Sequence, residues 1–280
     1  MRRAVETAVA RYAAALGADG GHTAVWWEHL ATGEVVQLDA EEVYPAASVI
    51  KIPILVEAFR QAEEGKLFLE SLYSVHEGRR AGGSGVFKEF HAGLEVTLRD
   101  ILTFMIIVSD NTATNLAIDL AGMPSINDTI RRLGLRHTAL RRRLMGGPFY
   151  DRPDYSLAID NILSAVDMGL LLRLLARGQA VSATSDAAML DILLRQQVND
   201  RIPMMLPRGV RVAHKTGEFQ TTRHDAGVVY GPDGPAYVLV VLTRGLKRPP
   251  KAVWQIAELS EEIYKACAGG GQGGSLGAAR

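Results

Sequence analysis

The sequence predicts a two-lobed α/β chain, with sheet strands drawn from both ends and a helical segment inserted between them. Three observations carry this reading. Residues 22–38 and 210–243 are β-rich, residues 48–197 show helical periodicity, and amphipathic stretches stand at both ends. Lobes built this way meet along a cleft, where a small-molecule site belongs.

Taken in order, Val5, Val9, Tyr12 and Leu16 fall at helical spacing, so residues 2–16 predict an amphipathic helix closed by Gly17. The chain begins Met1-Arg2-Arg3, but Glu6 and Arg11 interrupt the apolar run that a secretory signal needs. The location expected is cytoplasmic as the sequence stands, and periplasmic or secreted if a leader has been removed. Residues 22–29 and 34–38 form a hairpin about Ala31-Thr32-Gly33. Helices are expected at 48–65, 98–108, 112–121, 125–133, 164–177 and 185–197. Strands follow at 210–219, 226–230 and 237–243, the last two joined by the turn Gly231-Pro232-Asp233-Gly234. A closing helix covers 253–267 after Pro249-Pro250, and glycine-rich residues 269–280 read as a flexible tail. One catalytic domain of residues 1–268 is therefore expected. Residues 1–46 and 198–268 make its α/β lobe, and 47–197 an all-α lobe.

Composition narrows the function classes. The 280 residues are 48% hydrophobic and 22% charged, ordinary values for a globular chain. Thirty-one Lys and Arg balance 31 Asp and Glu, leaving no electrostatic footprint for nucleic acid. The single cysteine, Cys267, cannot form an internal disulfide or contribute to a cysteine zinc cluster. No apolar run approaches the ~20 residues of a membrane span. The expected partner is a small-molecule substrate, with no cofactor and no metal implied.

Three short motifs carry chemistry. Ser48 and Lys51 stand three residues apart at a helix start, so hydroxyl and amine share a face. A serine hydroxyl attacks only when a base takes its proton, and a lysine of depressed pKa can be that base. Ser109-Asp110-Asn111 follows the apolar run 101–108 and would ordinarily be a helix N-cap. Lys215-Thr216-Gly217 lies in a β-rich stretch, where a lysine commonly blunts an edge strand. Roughly one S-x-x-K match is expected by chance in such a chain, against roughly 0.03 for Ser-Asp-Asn and roughly 0.06 for Lys-Thr-Gly. Their joint occurrence in order excludes the ordinary readings.

In this order the three motifs resemble those of the class A β-lactamases and penicillin-binding proteins. The resemblance runs from the hairpin near Trp26 to the last helix. It implies an antiparallel sheet flanked by terminal helices and packed against an all-helical lobe. It further implies that Ser48 is the acylated nucleophile and Lys51 its proton acceptor or relay. Ser109 would pass a proton to the leaving nitrogen, and Asn111 would hydrogen-bond Lys51 and the substrate amide. Lys215 and Thr216 would hold a substrate carboxylate, beside Gly217. The backbone N–H groups of Ser48 and Glu218 would form an oxyanion hole, and Lys215 would keep the Lys51 amine partly neutral.

The sequence departs from the family at one place. A class A enzyme carries a loop glutamate that activates the deacylating water, with an asparagine four residues later. No glutamate occurs here between Glu95 and Glu218. Asn161 matches the asparagine, but Leu157 stands four residues before it. Asp151, Asp154 and Asp160 are the carboxylates of that region, and His214 and His224 are substitute bases to consider. Three activities stay open: a β-lactamase, a related esterase or D-amino-acid peptidase, and a β-lactam sensor that acylates with little turnover.

Overall fold

A computed structural model describes residues 1–75, 78, 80–145 and 156–269. Helix α1 (Arg2–Ala18) leads into the antiparallel pair β1 (His22–His29) and β2 (Val35–Leu38). The sheet is completed by β7 (Val212–Phe219), β8 (Thr222–Gly231) and β9 (Gly234–Arg244), in the order β2-β1-β9-β8-β7. Strand β9 returns beside β1 from His22↔Arg244 to His29↔Tyr237, which joins the two ends of the chain in one sheet. All its pairings are antiparallel.

Period-two alternation gives this sheet two apolar faces. On one, Val25, Trp27, Leu239 and Val241 are buried under Val5, Val9 and Leu16 of α1 and Ile256, Leu259 and Ile263 of α8 (Pro249–Gly269). On the other, Ala24, Val238, Val240 and Leu242 join the core of the helical layer. At about 1.5–3 kcal/mol per buried Val, Leu or Ile, the two faces supply most of the force that holds the layers together.

The central helix of the second layer is α2 (Lys51–Glu63), buried along nearly its whole length. Around it pack α3 (Leu98–Ile107), α4 (Asn111–Ala121), α5 (Met123–Arg132) and α7 (Ala183–Leu194). The α2 carboxylate of Glu57 is fully buried yet bonded to Arg60, Gln61 and Thr129. Helix α6 (Ala165–Ala176) bridges the layers across β1 and β9. Its Gly169 is required there, because a Cβ would sit 2.3 Å from the Trp26 ring. No helix among the described residues is long and apolar enough to cross a membrane.

The expected elements are present with shifted bounds. The helix expected from residue 48 opens as a 3₁₀ turn (Ala47–Ile50) before α2. The strand expected at 226–230 begins at Thr222, because the polar residues His224 and Asp225 are buried in the sheet rather than left in a loop. Two short ladders escaped the sequence pattern: β3 (Tyr44–Pro45) with β6 (Ile162–Leu163), and β4 (Leu72–Ser74) with β5 (Glu95–Thr97). The candidate residues Asp151 and Asp154, and the tail from 270 onward, lie outside the described residues.

Candidate active site

The three motifs meet where the sheet edge faces the helical layer. Ser48 stands on the 3₁₀ turn and lines a cleft with Ser84, Asn111, Arg142, Asn161 and Glu218. The turn is entered through Ala47 at φ +43°, and Ser109 lies at φ +56°. Both conformations are costly for residues with a Cβ, and such strain gathers at functional sites. Edge strand β7 runs against the Ser48 turn at Gly217. A Cβ there would come within 3.0 Å of Val49 Cγ2 and 3.3 Å of Ser48 N, so glycine keeps the space beside the serine open.

Lys51 is fully buried, and burial and then the Lys215 ammonium hold its amine well below the ordinary lysine range. Its Nζ lies 2.7 Å from Ser109 O, 2.9 Å from Asn111 Oδ1 and 3.0 Å from Ser109 Oγ. Asn111 Nδ2 donates to Gly82 O at 3.0 Å, which fixes the amide with Oδ1 towards Lys51. A neutral amine has two hydrogens and one lone pair. The carbonyl and the amide oxygen can only accept, so they take both hydrogens. The lone pair is left facing the Ser109 hydroxyl. No hydrogen bond joins Lys51 Nζ to Ser48 Oγ in this resting arrangement.

Lys215 is also fully buried, and burial first, then Arg201, pushes its amine down to about 7, against the pull of Asp225 and Glu218. Its Nζ donates to Thr216 O at 2.8 Å. Thr216 is buried on the strand face opposite Lys215, and Gly217 and Glu218 end the cleft wall. Glu218 Oε2 accepts from Arg201 Nη2 at 2.6 Å.

The substitute bases are placed elsewhere or already bonded. His214 is buried on the β7 face turned away from the helical layer, 2.9 Å from Asp225 Oδ1 and 3.0 Å from Asn199 Oδ1. It is not delivered to Ser48, because neighbouring residues on a strand point to opposite faces and Lys215 takes the inner one. His224 accepts from Thr243 N–H at Nδ1 and donates from Nε2 to Pro45 O, and burial pushes its pKa down to about 4. Asp160 is 2% exposed, 2.6 Å from Arg142 Nε, and accepts from Ser156 N–H at 2.9 Å. These bonds make it a clamp of the cleft wall rather than a poised base.

Several residues of the site carried no motif. Asp110 caps α4 through Ala113 N–H at 2.8 Å, and its other oxygen accepts from Val86 and Phe87 N–H at 2.6 and 2.7 Å. It is thus both the N-cap expected and the anchor of the facing loop. Asn161 Oδ1 accepts from Arg141 and Arg142 N–H, and its Nδ2 donates to Arg142 O. Arg201, 0% exposed, comes from a loop whose sequence gives no signal.

A hydroxyl at the head of a buried helix, a buried amine behind it and a strand edge beside it define a serine acyl-transfer site of the S-x-x-K class. Residues 5–267 match the β-lactamase enzyme family. The chain belongs to that family and is a serine β-lactamase-like hydrolase. A β-lactamase from Sphaerobacter thermophilus is 33% identical, with a TM-score of 0.86 over 93% of this chain and 97% of that one. A mutant of PBP-A, solved as an acyl-enzyme complex with penicillin G, is 27% identical, with a TM-score of 0.82 over 93% and 96%. A Streptomyces cellulosae β-lactamase is 29% identical over 77% of this chain and 70% of its own.

Proposed function

We propose that the protein opens β-lactams through a Ser48 acyl-enzyme and releases the acyl group slowly. The carrying observation is the Lys51 amine, buried, short of its ordinary basicity and fully ordered by Ser109 and Asn111 behind the nucleophile. To take the Ser48 proton, Nζ exchanges its contact with the Ser109 hydroxyl for Ser48 Oγ. Ser109 is then positioned to return that proton to the departing ring nitrogen. The N–H groups of Ser48 and Glu218 receive the developing oxyanion, and Lys215 supplies positive potential.

Deacylation lacks a comparable device. Among the described residues lining the cleft, Glu218 is the sole carboxylate, and it is bound to Arg201. A missing general base costs about 10²–10⁴ in rate, enough to make water attack limiting. The PBP-A mutant, a relative captured as an acyl-enzyme with penicillin G, supports this reading. The test is stopped-flow kinetics with a chromogenic cephalosporin. The expected result is a burst equal to the enzyme concentration followed by a slow steady phase. Fast, burst-free turnover contradicts it.

A further inference from the structure

We infer that Glu218 sets substrate charge preference: its carboxylate already occupies Arg201 at the β7 end of the cleft. The site therefore favours acyl donors whose group there is uncharged or carries an amine over donors bearing a carboxylate. This rests on the reading of the Ser48 cleft as the substrate site.

The corner is charge-matched before any substrate arrives. Its cations are Lys215, Arg201 and Arg223; its acids are Glu218, Asp225 and Asp200. Glu218 Oε2 is 2.6 Å from Arg201 Nη2 and 3.7 Å from Arg223 Nε, while Asp200 lies 3.2 Å from Arg201 Nη1. Asp225 faces His214 and the Ile202 N–H. The Arg201 side chain is 1% exposed and that of Glu218 is 57% exposed. A carboxylate entering from the cleft thus meets the Glu218 anion first. It reaches the guanidinium only by displacing a charge-assisted hydrogen bond and remaining close to the displaced carboxylate, a like-charge contact. Lys215 offers little in exchange, since its amine is half-neutral near pH 7 and already bonded to Thr216 O. An uncharged group pays neither cost, and an amine gains the exposed carboxylate.

The experiment measures affinity without chemistry, in the Ser48→Ala protein, by calorimetry with benzylpenicillin and with its methyl ester. The ester is expected to bind at least as tightly as the acid, and a tenfold preference for the acid would overturn the inference. Adding Glu218→Gln should move the acid-to-ester ratio towards the acid by about tenfold, whereas Glu218→Asp, which keeps the charge, should restore it. An unchanged ratio in Glu218→Gln would also overturn it. Because no acylation is involved, these results stand apart from the nucleophile assignment, which adduct formation by the Ser48 protein decides.

Discussion

Replacing Lys215 by Met separates stability from chemistry. In the folded chain the amine falls from 10.5 to about 7, burial being the main cause. At about 1.4 kcal/mol per tenfold, keeping this lysine inside costs the fold about 4 kcal/mol at pH 7. Methionine fills a similar volume without a charge, but leaves Thr216 O without its 2.8 Å donor, a loss of about 1–2 kcal/mol. The variant should therefore be about 2–3 kcal/mol more stable at pH 7 while losing acylation. The pH dependence gives the sharper check. Between about 7 and 10.5 the unfolded chain holds more protons on this lysine than the folded one. Wild-type stability consequently rises with pH across that window, and the advantage of the variant shrinks to about 1 kcal/mol or less by pH 10. Urea denaturation at pH 7 and pH 10 measures both numbers. A destabilised variant, or a gain independent of pH, would refute the account of a strained, buried cation.

Three further outcomes follow from the same geometry. Asp110→Ala removes acceptors from three backbone N–H groups and should cost about 2–4 kcal/mol in denaturant melts, with slower acylation as the 84–87 wall loosens. His214→Gln should cost about 1–3 kcal/mol of stability through Asp225 and Asn199 yet change acyl release, followed by intact mass, less than about threefold. Leu157→Glu places a carboxylate four residues before Asn161, on a residue 44% exposed. It should speed decay of the penicilloyl adduct by roughly tenfold or more in the same assay, and no acceleration would show that the loop backbone holds position 157 away from the acyl group.

How far the sequence reached depended on whether a feature was local. Alternating or helical hydrophobicity located α1, β1, β9 and the helices around α2, since each element writes its own period. Ser48, Lys51, Ser109 and Asn111 were legible as motifs, and the structure places Lys51 within hydrogen-bond distance of Ser109 and Asn111. What escaped depends on residues distant in the chain. Arg201 is a buried cation only because Glu218, 17 residues later, turns back on it. His214 looked close to the site by adjacency to Lys215, but a one-residue step on a strand reverses its face. Asp160 looked available as a carboxylate, and Arg142, 18 residues earlier, binds it. The polar run at Thr222–Asp225 read as loop because buried hydrogen-bonded polar groups mimic an exposed sequence.

The central claim, a Ser48 acyl-enzyme that outlives its formation, is tested most directly by peptide mapping after benzylpenicillin treatment. Digestion and mass spectrometry should place one penicilloyl group on Ser48, persisting for many minutes after free drug is removed, and none in Ser48→Ala. A label on another residue, an adduct that survives Ser48→Ala, or rapid consumption of penicillin with unlabelled protein throughout would contradict it.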